Sequence, residues 1–268
     1  MKNIRLILFT LLLTLAAKPG SSMPLRSFNP TVKDSLIQDH QLIQTISCEG
    51  AYPMHLQGIS TDQKKSIYWS FTNEMVRTDL KGKVLNRVKV LNHHGDLCYV
   101  DGKIYVAVNL GKFNRPPGQE DSWVFVYNAG NLKEVARYKV PELVHGAGGI
   151  ASNKGKFYVV GGLPTDYNEN YVYEYDKDFK FIKRHIIDSG YTQLGIQTVE
   201  HYAGQWWFGC YGSPKLLRTD DQFRILDKND FDASLGIVAY SPKKLMIGTS
   251  KTNADKLHVG TVRIFKKQ

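Results

Sequence analysis

Several absences frame this chain. After residue 22 no stretch repeats apolar residues at the helical period for long, so little helix is expected. No segment there approaches the roughly 20 apolar residues of a membrane-spanning helix, so no membrane partner is expected. Lys and Arg never run beyond adjacent pairs such as Lys64-Lys65, Lys183-Arg184, Lys243-Lys244 and Lys266-Lys267. Nucleic-acid binders concentrate basic charge in a patch or stripe, so nucleic acid is not an expected partner either. Cysteine is scarce and odd in number: Cys48, Cys98 and Cys210 cannot all pair within one chain. Missing too are the Gly-x-Ser-x-Gly elbow, the phosphate-binding loop, the dinucleotide fingerprint and the zinc-protease helix.

What is present begins with a leader. Lys2 and Arg5 precede an apolar run over 6–17, which ends in Pro19-Gly20-Ser21-Ser22. A charged start, a short apolar run and a small-residue end predict an export signal over 1–22. A linker over 23–35 and one domain over 36–268 follow, and the expected location is secreted or periplasmic. The net charge is +10, from 35 Lys and Arg against 25 Asp and Glu. Lys2, Arg5 and Lys18 belong to the leader, and the remaining excess is spread along the chain. That spread fits an acidic glycan as partner, or Lys placed at strand edges against aggregation.

From residue 50 onward one unit recurs. A small-residue turn leads into a short apolar strand, a tight turn follows, and a second strand is rich in aromatic and β-branched residues. The copies run from Gln57-Gly58-Ile59 to Ile67-Tyr68-Trp69, and from Gly95-Asp96-Leu97 to Ile104-Tyr105-Val106. They continue from Gly148-Gly149-Ile150 to Phe157-Tyr158-Val159, from Leu194-Gly195-Ile196 to Trp206-Trp207-Phe208, and from Leu235-Gly236-Ile237 to Leu245-Met246-Ile247. The spacing is roughly 40–50 residues, near the range of propeller blades. The first four copies add a third and a fourth strand through polar turns, the pattern of a meander. The fifth ends after Thr261-Val262-Arg263-Ile264-Phe265 with no outer strand. The segment 41–46, Gln-Leu-Ile-Gln-Thr-Ile, is expected to supply it.

On these residues the chain from 36 to 268 resembles the five- or six-bladed β-propeller class, which includes plant-type glutaminyl cyclases, several glycosidase clans and some lectins. The resemblance implies an all-β, five-bladed propeller of four-stranded antiparallel blades, closed by an N-terminal strand. It speaks to fold and not to activity. His55-Leu56-Gln57-Gly58-Ile59 is similar to the Gln-Gly-Leu-Glu segment of those cyclases, with Ser60 where they carry the acidic residue.

In a propeller the residues just before each innermost strand meet at the channel mouth. The expected rim is His55 and Gln57, then His93, His94 and Asp96, then His145, then Tyr191 and Gln193, then Asp232 and Ser234. Imidazoles serve as acids and bases near neutral pH, so His94, Asp96 and His145 are the expected catalytic groups. Imidazole also ligates divalent metals, which makes His93, His94 and His145 the alternative ligand set for one divalent ion. The plain structural role for all of them is to cap turns or hydrogen-bond one another around a water-filled channel. The insertions 109–118 and 163–170 emerge at the mouth, where Arg115 and Tyr167 are expected to grip a ligand along with His55, Gln57, Gln193 and Tyr211. Trp206 and Trp207 are expected as packing. The paired carboxylates of glycoside hydrolysis cannot be placed by spacing. Two readings follow. One is an exported carbohydrate-active enzyme, a hydrolase or lyase acting on a small-molecule or glycan ligand in the channel. The other is a non-catalytic propeller that binds a glycan or a protein.

Overall fold

A computed structural model describes residues 39–268; the expected export signal, the whole linker and residues 36–38 of the expected domain lie outside the described residues. Strand β1 (His40–Ser47) comes first. The first repeat gives β2 (Gly58–Thr61), β3 (Ile67–Ser70), β4 (Thr72–Thr78) and the long β5 (Val84–Val100). The second adds β6 (Lys103–Asn109), β7 (Ser122–Asn128) and β8 (Glu134–Lys139). The third is β9 (Ala147–Asn153), β10 (Lys156–Gly161), β11 (Asn170–Tyr175) and β12 (Phe181–Ile187). The fourth is β13 (Gln193–Tyr202), β14 (Gln205–Tyr211), β15 (Leu216–Thr219) and β16 (Ile225–Asn229). The last is β17 (Ile237–Ser241), β18 (Lys244–Thr252) and β19 (His258–Lys267).

Turn chemistry sets these boundaries. Asp101-Gly102, Lys154-Gly155 and Ala203-Gly204 all have positive φ at both positions and join the first two strands of blades two, three and four. Such pairs make the tight hairpin turn whose twist matches that of the strands. The turn between third and fourth strands repeats as well. The Oδ1 atoms of Asp79, Asp176 and Asp220 each accept backbone N–H groups two and four residues on, which replaces hydrogen bonds the reversing backbone gives up.

Sheet order shows five blades. Among the described residues three sheets have four strands, and one has seven, β2 through β8. The seven-stranded sheet is two blades sharing β5. The first part of β5 pairs with β4, as in Lys89↔Glu74, and the last part pairs with β6, as in Leu97↔Val106. His94 pairs with Thr72 and with Val108 at the junction. The N-terminal strand closes the ring as expected: β1 runs antiparallel to β19, from His40↔Lys267 to Ser47↔Thr261. Ile59, Trp69 and Val76 of the first blade share one core with Val238, Met246, Val262 and Ile264 of the last.

The core lies between blades. Trp206 packs with Val160 and Val172 of blade three, and Trp207 with Ile237, Leu245 and Ile247 of blade five. Strand alternation sends the two to opposite faces, so both are core. All three cysteines are free thiols.

At the axis the inner strands touch. A Cβ on Gly95 would stand 2.2 Å from the Gly148 carbonyl oxygen, and one on Gly58 would stand 2.2 Å from Asp96 Oδ1. Only glycine permits that approach. The axis is thereby sealed beneath the mouth.

Candidate functional site

A cavity of about 230 Å³ opens at the mouth end, where inner strands begin and second strands finish. Blade one contributes His55 and Gln57, blade two His93, Asn109 and Phe113, and blade four Gln197 and Tyr211. Gly95 and Gly148 border it close to the axis.

On one wall the Gln57 Nε2 amide donates to His55 Nε2 at 2.8 Å and reaches Thr72 Oγ1 at 3.2 Å. The amide has no lone pair to offer, so the imidazole accepts through Nε2 and is neutral in this arrangement. Burial, and then the neighbouring His258, lower the His55 pKa and favour the same state. Across the cavity Tyr211 is half-buried. Burial, with Asp232 nearby, pushes its pKa up to about 12, so the phenol keeps its proton.

The two adjacent histidines of β5 part company. His93 is exposed and held at φ 66, a left-handed conformation that costs a side-chain-bearing residue about 1 kcal/mol or more. His94 is fully buried. Its Nδ1 donates to the Leu91 carbonyl at 2.7 Å, and its Nε2 accepts from the Tyr127 hydroxyl at 2.7 Å. Burial lowers its pKa to about 4. His94 borders the cavity but has both nitrogens committed, so the expected catalytic imidazole serves as a strut in this structure.

Asp96 lies at the seal and is absent from the cavity wall. Of the backbone N–H groups near its carboxylate, Val199 N–H of blade four lies 3.4 Å from Oδ2, and Oδ1 has no hydrogen-bond partner among the described residues. Desolvation drives its pKa well above the usual range. Next along β13, Glu200 accepts from the backbone of His201 at 2.9 Å and of Ala239 at 3.2 Å. Burial raises its pKa to about 7.

His145 is turned aside. Its Nδ1 donates to the Arg115 carbonyl at 2.9 Å, and its ring meets the Tyr167 ring edge-on at 4.6 Å. It borders a separate cavity of about 10 Å³ with Tyr171 and Tyr173. Arg115 thus contributes its backbone here, and Tyr167 packs on His145 instead of reaching the mouth cavity. Gln193 is exposed, pairs with Tyr211 in the sheet, and yields the wall to Leu194 and Gln197. His93, His94 and His145 do not form a ligand set: among the described residues no three His, Cys, Asp or Glu groups stand close enough to hold one metal ion.

Sequence reasoning missed Asn109, Phe113, Leu194 and Gln197. Asn109 is buried and braces the insertion, donating to the Gly111 carbonyl at 3.0 Å and accepting from Asp121 N–H at 3.0 Å. Phe113 sits in the insertion already expected at the mouth, which was the signal for it. Leu194, at φ 61, and Gln197, whose amide donates to the Leu194 carbonyl at 2.6 Å, carried no such signal.

No protein-family description and no curated protein matches the chain. Among solved structures, a protein of unknown function from Dyadobacter fermentans is similar with a TM-score of 0.52 at 10% identity, over 86% of this chain and 100% of that one. BamB from Moraxella catarrhalis gives 0.40 at 10% identity, over 85% of this chain and 99% of that one. The WD40 domain of Pan2 from Neurospora crassa gives 0.42 at 10% identity, over 79% of this chain and 63% of that one. At such identities a likeness speaks to fold alone.

Proposed function

We propose that the channel mouth binds one small, polar, sugar-sized ligand, and that the protein acts on glycans outside the cytoplasm. The lining carries this reading. Aromatic faces from Phe113 and Tyr211 share the cavity with amide and imidazole groups from Gln57, Gln197, His55 and His93. Flat apolar faces beside a few fixed polar groups suit a molecule with both C–H faces and hydroxyls. Among the described residues no Asp or Glu is in the wall, so the two-carboxylate route of glycoside hydrolysis lacks its residues there.

A calorimetric screen of mono- and oligosaccharides tests the reading. Gln57→Ala and Phe113→Ala should each weaken a hit by about tenfold, the value of a lost buried hydrogen bond or aromatic contact. Tm should stay within about 2 °C. Affinity that ignores both changes would remove the mouth as the site.

His93 favours turnover as a second reading. It has no hydrogen-bond partner among the described residues and is held in a strained backbone state at the cavity edge, and such strain concentrates at functional sites. With the protonated Tyr211 it offers a base and an acid for elimination or hydrolysis. His93→Ala should then abolish product formation while leaving affinity within about threefold. A hit that is bound and never altered would make the protein a binding module.

A further inference from the structure

The last blade carries a second cavity, of about 460 Å³. It lies on the blade's mouth half, across β1, β19 and β18. The lower part of this face is apolar: Leu245, Ile247 and Phe265 are buried against blade four. Toward the mouth the same alternation places Thr249 and Lys251 on β18 and Thr261 and Arg263 on β19, joined by Thr45 and Ser47 of β1. The face therefore changes from packing surface to a groove of hydroxyls and two cations.

Those cations are uncommitted. Among the described residues neither Lys251 nor Arg263 forms an ion pair, and no Asp or Glu is in the groove wall. Arg263 Nε is buried without a hydrogen-bond partner. Its guanidinium is nonetheless fixed, with Cζ 5.7 Å from the Phe231 ring centre and 5.5 Å from that of Phe265. The nearest acids in sequence to Phe231 are engaged elsewhere: Asp230 accepts from Ser213 Oγ at 2.7 Å, and Asp232 lies 3.7 Å from Lys215 Nζ. A positioned guanidinium, an exposed ammonium and several hydroxyls form a donor set for an oxyanion, since every one of these groups can donate and the cations strengthen the bonds.

We propose that this groove binds an anionic substituent, a carboxylate or a sulfate or phosphate ester, on a glycan whose end occupies the mouth. His258 stands between the two cavities. The His55 ring lies 6.0 Å from that of His258, and His258 Nδ1 lies 3.5 Å from the hydroxyl of Thr252, which borders the groove. The link between cavities rests on the mouth being a sugar site; the anion groove itself does not.

The test is titration calorimetry with length-matched oligomers of galacturonate, sulfated dextran and neutral dextran, at low and high salt. The wild-type chain should bind at least one charged oligomer about tenfold or more tightly than the neutral one, with the preference shrinking as salt rises. Which charged oligomer is preferred separates a carboxylate from an ester. Lys251→Glu, a change at an exposed position, should erase the preference, and Arg263→Met should reduce it by about tenfold. Arg263→Met also removes packing, so Lys251→Glu alone is decisive should that variant fail to fold. Gln57→Ala should weaken charged and neutral oligomers alike and leave the preference intact. No preference in the wild type, or one that survives Lys251→Glu, overturns the proposal. A preference erased by Lys251→Glu in a protein indifferent to Gln57→Ala keeps the groove and removes the mouth reading.

Discussion

The mouth and the seal lie a few residues apart on β5, and they treat polar groups in opposite ways. At the mouth His93 is exposed and without a side-chain partner among the described residues, and Tyr211 faces the cavity. At the seal the buried Asp96 has Val199 N–H 3.4 Å from Oδ2 and its Oδ1 without a hydrogen-bond partner among the described residues, and just above it His94 has both nitrogens bonded. A dense ring of titratable residues is therefore not one site. His94, whose lone pair and proton are committed, serves as a strut, and groups left uncommitted at the rim are available to a ligand. Satisfied buried polar networks rigidify a core at high stakes, while the same residue types at the rim cost little to leave open to water.

The sharpest break in that contrast is Gly95→Ala. The new methyl would press on the Gly148 carbonyl, and overpacking of backbone against backbone should cost about 3 kcal/mol. Scanning calorimetry should show Tm lower by roughly 10 °C. A variant that melts with the wild type would mean that the axis is not sealed by contact. Next come the neighbouring histidines. His94→Ala strands the Tyr127 hydroxyl and the Leu91 carbonyl and should cost about 2–3 kcal/mol in urea unfolding. His93→Gly relieves a left-handed residue and should leave stability within about 1 kcal/mol. Equal losses at the two would abolish the distinction between strut and rim.

The smallest effect is a pH slope. Glu200 has its pKa raised from 4.5 to about 7 by burial, so the folded state holds a proton that the unfolded state has released between those values. Its contribution is complete below about 4.5 and is lost as pH climbs through about 7. Asp96, also raised, acts in the same direction. Tm should fall as pH rises through that window, and Glu200→Gln should flatten part of the fall. A slope unchanged by Glu200→Gln would show that the carboxyl is not desolvated.

Much of the ring could be read from the chain, because turns and alternation are local. The hairpin at Asp101-Gly102 and the missing outer strand after Phe265 are visible in the letters, and the β1–β19 pairing follows from them. The passage from blade one to blade two was harder. Asn92-His93-His94-Gly95 reads as a break, yet His93 adopts φ 66 and β5 continues through it. The rim itself was half legible. Position relative to an inner strand located His55, Gln57 and His93 at the cavity, and the channel-face end of a second strand located Tyr211. It could not show that Tyr127, 33 residues beyond His94, captures that imidazole, or that the Arg115 carbonyl draws His145 aside. Those outcomes depend on side-chain partners from distant segments, which spacing does not encode.

The joint between β1 and β19 also fixes an orientation. Gln268 N–H donates to the Asp39 carbonyl at 2.8 Å, so both ends of the described chain meet at one edge of one blade, away from the mouth. Which blade counts as first is then a matter of where a circle happens to be cut. Joined by a short loop and reopened at the exposed turn 177–178, the same blades would follow in a new order around the same axis.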